Sequence, residues 1–72
     1  MEVILLTTDI TQVPFVKMLL SSEGIQAYTF DDHMSSIEGS INILPIRVMV
    51  LSSDVCTARN ILKSNGIHVY EE

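Results

Sequence analysis

This chain contains one short pattern twice: four apolar residues, two hydroxyl residues and an aspartate. The pattern reads VILLTTD at residues 3–9 and VMVLSSD at residues 48–54. Each copy is followed by a segment that ends on a second shared pattern, LLSSEGIQAY at 19–28 and ILKSNGIHVY at 61–70. A repeat that covers most of 72 residues indicates one supersecondary unit built twice.

Each copy predicts a strand, a helix and a second strand. The apolar runs at 3–6 and 48–51 are bounded by Thr or Ser, which is typical of central strands buried on both faces. The stretches at 25–30 and 67–70 alternate, as edge strands do. Their alternation places Ile25, Ala27, Ile67 and Val69 under the helices and Gln26, Tyr28, Phe30, His68 and Tyr70 on the other side.

One helix is predicted between the two strands of each copy. Thr11 and Ser53 suit the N-cap positions, and Asp54 suits the first turn of the second helix. Gly24 and Gly66 can adopt the left-handed conformation in which many helices end. Apolar residues at helical spacing give each helix one inner stripe. The stripes are Val13, Val16, Leu19 and Leu20 in the first helix and Val55, Ala58, Ile61 and Leu62 in the second.

Two such units in succession predict a ferredoxin-like βαββαβ sandwich of the α+β class, formed by residues 1–72 as a single domain. Right-handed crossovers give an antiparallel sheet of order 4-1-3-2 with both helices on one face. Tyr28, Phe30 and Tyr70 then stand on the opposite face together with aliphatic residues of the central strands. So large an apolar surface predicts an interface, covered by a second copy or a partner protein. The alternative is that the 31–46 segment folds over it.

The 31–46 segment, DDHMSSIEGSINILPI, is longer than the tight turn that this fold needs between its second and third strands. Loops longer than about 12 residues in a compact domain are usually functional or disordered. Several apolar residues and a capping-box spacing from Ser35 to Glu38 favour a structured connection. Its hydroxyl groups and Arg47 could hold a small anion; alternatively Glu38 pairs with Arg47 and the serines cap backbone groups.

The string D-x-M-S-x-x-E-G-S at 32–40, followed by Pro45 and Arg47, resembles the short bacterial "putative signal transducing protein" family of unknown function, especially its alphaproteobacterial members. The resemblance extends over the whole chain. It implies a fold like that of PII nitrogen regulators and ACT-type sensors. Relatives tend to have Gly in place of Asn42 and a second basic residue in place of Ile46, so a site built on two arginines is not expected here.

The resemblance implies a non-enzymatic regulatory or adaptor module that binds itself or a partner protein. The alternative is a sensor of a small anionic metabolite, of ACT or PII type. The residues expected to bind a ligand or partner are Asp32, Met34, Ser35, Glu38, Gly39, Ser40 and Arg47, and those expected at the sheet interface are Tyr28, Phe30 and Tyr70.

Composition excludes several other classes of function. Nine acidic residues against four Lys and Arg give a net charge of −5, which repels phosphate backbones. The aromatic sheet face is similar to that of RNA-recognition domains, but their basic residues are missing, so we expect no nucleic-acid partner. A single cysteine, no signal peptide and no apolar run near about 18 residues predict a cytoplasmic chain that does not enter a membrane.

We expect no catalytic residues, metal or cofactor. The neighbouring carboxylates at 31–32 and 71–72 point to opposite sides of an extended chain, so neither pair suits acid–base catalysis. His33 and His68 are predicted on opposite edges of the sheet, about 14 Å apart, too far to share an ion within one subunit. A metal site between subunits remains the alternative. Cys56 is predicted to be packed or half-buried.

Overall fold

The computed structural model describes residues 1–30 and 45–71. In chain order the elements are β1 (Glu2–Thr7), α1 (Gln12–Ser22), β2 (Tyr28–Phe30), β3 (Ile46–Val50), a single turn of 3-10 helix (Ser52–Asp54) and α2 (Val55–Ser64). Within these described ranges neither helix is long and apolar enough to cross a membrane.

The three strands form an antiparallel sheet in the order β1-β3-β2. This order agrees with the predicted neighbours of the central strands. Residues 67–70, predicted to be the fourth strand, are not assigned to a strand, although the Tyr70 N–H donates to the Ile4 carbonyl at 2.8 Å. The described residues therefore form a small α+β domain with a three-stranded antiparallel sheet and two helices.

A β-bulge interrupts the pairing of β1 with β3. Val3 lies opposite Met49 and Leu5 lies opposite Val48, so Ile4 is the additional residue on β1. Ile4 and Leu5 are consecutive, and both are buried. A bulge permits this because the additional residue breaks the strict alternation of side chains between the two faces.

The core lies between the sheet and the two helices. Alternate β3 residues Val48 and Val50 are fully buried and belong to one cluster with the inner faces of α1 and α2, so both helices lie on the same side of the sheet. The predicted stripes are confirmed except at Val13: their other members are buried or, for Leu19 and Ile61, pack against the buried cluster. The buried members of the cluster are Ile4, Leu5, Val16, Leu20, Ile25, Ala27, Val48, Val50, Val55, Ala58, Leu62 and Ile67.

The first helix begins after Thr11, as predicted, whereas the second begins differently. Thr11 is the N-cap residue of α1, but its side chain makes no capping bond; its hydroxyl donates to Asp9 Oδ1 at 2.6 Å, and its N–H donates to the same oxygen at 2.9 Å. These two bonds from Thr11 lower the pKa of Asp9 below its ordinary value. Ser53 as the second N-cap was wrong: it lies in the 3-10 turn, and Asp54 precedes α2 without a side-chain capping bond.

Both helices end as predicted, at a glycine. Gly24 and Gly66 have φ of 76° and 74°, the left-handed region that costs glycine little. At the end of α1, the Ile25 N–H donates to the Leu20 carbonyl and the Gly24 N–H donates to the Ser21 carbonyl. At the end of α2, Ile67 and Gly66 donate in the same way to the carbonyls of Leu62 and Lys63. Each helix end is therefore a Schellman motif. The N–H of Ile25 is thus used by the helix end, and β2, at Tyr28–Phe30, is shorter than the predicted 25–30.

Candidate functional site

One face of the sheet is turned away from the helices. Since β3 is the middle strand, each of its residues forms a row with one partner on either side. One row consists of Val3, Met49 and Tyr28, and the other consists of Leu6, Arg47 and Phe30. Along β3 these residues alternate with the fully buried Val48 and Val50. We call the six residues of the two rows the open face.

The open face exposes large apolar side chains. Leu6 is 41% exposed, Tyr28 37% and Phe30 40%, while Val3 and Met49 are half-buried. A single exposed aromatic is common on protein surfaces, but contiguous apolar residues rimmed by polar ones mark interaction sites. The open face therefore has the physical properties of a docking surface.

Arg47 is the polar residue of the open face. Its guanidinium carbon lies 6.0 Å from the centre of the Phe30 ring, within the range of a cation–π interaction. The residue is half-buried. Arg47 thus lies beside an exposed aromatic ring on the open face.

A second candidate site is a groove where the start of β1 and the end of β3 meet α2. Its volume is about 600 Å³, and we call it the Arg59 groove. Arg59 lines this groove, while its Nε is buried and has no hydrogen-bond acceptor among the residues that the structure describes. The lining residues are Met1, Glu2, Val3, Met49, Arg59 and Glu71.

Glu71, which lines the Arg59 groove, forms an ion pair. Lys63 Nζ lies 3.1 Å from Glu71 Oε1, and both side chains are more than half exposed. The hydrogen bond from Lys63 lowers the pKa of Glu71, and the charges of Lys63, Arg59 and His68 act in the same direction. Glu71 is therefore ionised at neutral pH and already has a cationic partner.

The predicted ligand-binding residues lie mostly outside the described residues. This holds for Asp32, Met34, Ser35, Glu38, Gly39 and Ser40, for the predicted pair between Glu38 and Arg47, and for His33. Of the predicted interface residues, Tyr28 and Phe30 lie on the open face. Tyr70 is half-buried and follows Val69, which packs against the core. Arg47 and Phe30 are brought together, although they were predicted for separate surfaces.

The prediction for Cys56 was wrong, because its side chain is exposed. It lies on α2 between the inward-facing residues Val55 and Ala58, at a position that the helical period turns outward. His68 is exposed, in agreement with a surface residue. Residues 1–30 and 45–71 contain no group of three or more His, Cys, Asp or Glu side chains placed to hold a metal ion.

The Arg59 groove was not predicted from the sequence. One signal was available: Arg59 and Lys63 are four residues apart on α2, and they make up half of the four Lys and Arg residues of the chain. Residues at this spacing lie on the same helix face. The contributions of Glu2 and Glu71 come from opposite ends of the chain, which no local pattern brings together.

Comparison with known proteins agrees with the whole-chain resemblance. Curated protein sequences contain no significant match to this chain. The family model described as "Putative prokaryotic signal transducing protein" matches residues 1–69 of the 72. The match includes the first copy of the repeat, the second copy except Tyr70, every described strand and helix, and the connection between β2 and β3. The chain therefore belongs to the family that carries this description.

Proposed function

We propose that this chain is a non-enzymatic regulatory module that acts through protein–protein contacts of its open face and of the 31–46 connection. The exposure of Leu6, Tyr28 and Phe30 on one sheet face is the observation that carries the proposal. The description of the family as signal transducing agrees with a module that works by binding.

A second copy of the chain is the occupant that we propose for the open face. The open face has no acidic residue, although the chain carries nine. Two chains of net charge −5 repel each other least when their open faces are in contact. An apolar patch is also complementary to itself, as a symmetric dimer interface requires.

Sedimentation velocity of the purified chain across the micromolar range tests this proposal. We expect the weight-average sedimentation coefficient to rise with concentration toward that of a dimer. A chain that remains monomeric over the whole range contradicts self-association. In that case, if the chain captures a different protein and a Phe30 substitution abolishes the capture, the open face binds that protein.

We also propose that residues 67–70 form a fourth strand beside β1, which completes the ferredoxin-like order 4-1-3-2. The hydrogen bond from Tyr70 N–H to Ile4 O and the burial of Ile67 support this arrangement. In an NMR study we expect cross-strand nuclear Overhauser effects between residues 67–70 and β1, and a slowly exchanging Tyr70 amide. Fast exchange at Tyr70 without such effects would leave the sheet with three strands.

A further inference from the structure

The two copies of the repeat form two matching grooves, each between a helix and the segment that follows it. The groove of the first copy has a volume of about 410 Å³ and is lined by Lys17, Ser21 and residues 24–27. The groove of the second copy has a volume of about 330 Å³ and is lined by Lys63, residues 67–69 and Glu71. We call them the Lys17 groove and the Lys63 groove.

The repeat places equivalent residues in the two grooves. Gly24 and Gly66 end the two helices in the same left-handed conformation, with φ of 76° and 74°. Counted from these glycines, residues 25–27 of the Lys17 groove correspond to residues 67–69 of the Lys63 groove. By the same count Ser21 corresponds to Lys63, and Thr29 corresponds to Glu71. The Lys63 groove therefore shows how this arrangement is filled elsewhere in the same fold.

A carboxylate of the chain itself occupies the Lys63 groove. Glu71 lines this groove, and its Oε1 lies 3.1 Å from Lys63 Nζ. Glu71 follows directly on residues 67–70, whose last member donates its N–H to the Ile4 carbonyl of β1. A segment held against the sheet thus brings an acid to the lysine of the helix.

The Lys17 groove has a lysine but no carboxylate. Lys17 is exposed and, among residues 1–30 and 45–71, forms no ion pair. No acidic residue lines its groove, and Thr29 stands where the second copy has Glu71. The chain carries nine acidic residues against four Lys and Arg, so a cation without an acidic partner is unusual in it. Its charge is complementary to an acid supplied by another molecule.

The sheet edge beside the Lys17 groove is also unpaired in the described part of the chain. β2 pairs with β3 on one side, and no strand of the described ranges lies on its other side. Gln26, which lines the groove and leads into β2, is exposed and makes no backbone hydrogen bond with the described residues. An edge strand presents N–H and C=O groups that can pair with an added strand. The groove and the edge together offer backbone pairing and one positive charge.

We propose that the Lys17 groove binds an extended acidic segment of a partner protein. The segment pairs its backbone with the free edge of β2 and places one carboxylate on Lys17, as Glu71 lies on Lys63 in the second copy. A second copy of the chain is disfavoured, because in a symmetric contact the groove meets its equal, which supplies another lysine and no carboxylate. None of the residues that line the groove belongs to the open face, so the site does not depend on self-association there.

Matched peptides test the ligand class on the intact chain. The probe is acetyl-Thr-Val-Glu-Val-Thr-amide, and its controls are the same peptide with Gln in place of Glu, and sodium acetate. An NMR titration follows the Lys17 side-chain signal and the backbone amides of Gln26 and Thr29. We expect saturable shifts with the glutamate peptide, binding of the glutamine peptide weakened by about fivefold or more, and no saturation with acetate. No saturation with the glutamate peptide at millimolar concentration, equal binding of the glutamine peptide, or saturation with acetate alone would overturn the proposal.

Two N-methylated peptides test the backbone pairing. An added strand directs alternate N–H groups to the edge of β2. Methylation of the two valine nitrogens removes one set of these groups, and methylation of the threonine and glutamate nitrogens removes the other. We therefore expect only one of the two modifications to abolish binding. Full affinity of both N-methylated peptides would contradict strand addition.

Variants of the two lysines test the charge. Lys17→Gln should weaken binding of the glutamate peptide by about fivefold or more. Lys63→Gln is the same change in the matching groove, and its affinity should stay within about twofold of the parent. Lys17→Glu should bind a peptide with Lys in place of Glu better than the parent does. Equal weakening by Lys17→Gln and Lys63→Gln would contradict the site, and a change of the dimer dissociation constant in Lys17→Glu without peptide binding by the parent would assign the groove to a second copy. Because peptide binding is read in the parent chain, the test does not depend on the variants folding.

Discussion

Replacing Phe30 with alanine provides a quantitative test of the open face. Phe30 is 40% exposed. A phenylalanine buries about 150–250 Å² when fully covered, so about 60–100 Å² of Phe30 remains for a second copy to cover. At about 25 cal/mol per Å², this remainder contributes about 1.5–2.5 kcal/mol per chain. In a symmetric dimer both copies lose it, so Phe30→Ala should cost about 3–5 kcal/mol of association free energy.

In dissociation constants, this loss is a weakening of about a hundredfold to a few thousandfold. Phe15 supplies a matched control, since it is 44% exposed but lies on α1, away from the open face. Sedimentation equilibrium of the parent, Phe30→Ala and Phe15→Ala gives the three constants, and circular dichroism at the same concentrations checks that each variant is folded. We expect Phe15→Ala to associate like the parent.

If Phe30→Ala and Phe15→Ala weaken association equally, the reasoning is refuted, because removal of any exposed ring would then have the same effect wherever it lies. A folded Phe30→Ala that associates like the parent would refute it as well, since the area exposed on the open face would then contribute nothing to the contact.

Three further predictions concern stability and pH. Leu62 is fully buried, so Leu62→Ala should lower the free energy of unfolding in urea by about 2–5 kcal/mol. Leu51 is exposed, so Leu51→Ala should change the free energy of unfolding by less than about 0.5 kcal/mol. Equal effects would contradict the assigned core. At Gly66, φ is +74° and an added Cβ meets no atom within 4 Å. Gly66→Ala should therefore lower the free energy of unfolding by about 1–2 kcal/mol through backbone strain alone, and Gly66→Asn should lower it less. A smaller loss for Ala than for Asn would contradict the left-handed conformation. The pKa of Glu71 is lowered from its ordinary 4.5, chiefly by Lys63, so the stabilisation by Glu71 is present above that value and is lost as the pH falls through the lower folded pKa. Denaturation of Glu71→Gln against the parent should therefore show a difference at neutral pH that vanishes in acid and shrinks with added salt; a difference that persists in acid would contradict the ion pair.

The parts of the fold that were predictable are those in which local chemistry decides the structure. Gly24 and Gly66 marked both helix ends because the left-handed C′ position favours glycine strongly over residues with a Cβ. Ile25 and Ala27 were correctly placed inside, and Tyr28 and Phe30 outside. Alternate residues of an extended segment lie on the same face, so once Ile25 and Ala27 are placed inside, the other two lie outside.

The errors occurred where two local solutions compete. At Ser53 a hydroxyl suited to capping was present, but a 3-10 turn included it. Thr11 was correctly predicted as an N-cap, although its hydroxyl bonds the Asp9 carboxylate and does not cap the helix. The bulge at Ile4 was not predicted because every residue of that run is apolar, so the sequence shows no break in alternation. Cys56 was misplaced although the spacing of Val55 and Ala58 already turns it outward.

The candidate site was predictable only in part. The aromatic side chains of the open face followed from strand alternation, but their position opposite Met49 and Arg47 depends on the register between distant strands. The Arg59 groove depends on contacts between the first residues of β1, the end of β3 and Glu71. Such long-range contacts come from the packing of the whole chain.

The bulge in β1 also distinguishes two segments that are otherwise nearly interchangeable. The runs that become β1 and β3 come from the same repeated pattern, so each could in principle take the place of the other during folding or be exchanged between two chains. The additional residue Ile4 belongs only to the first run, and its carbonyl accepts the N–H of Tyr70. The second run has no additional residue at this point of the ladder, so the two runs occupy different environments in the sheet, which favours one placement of each copy.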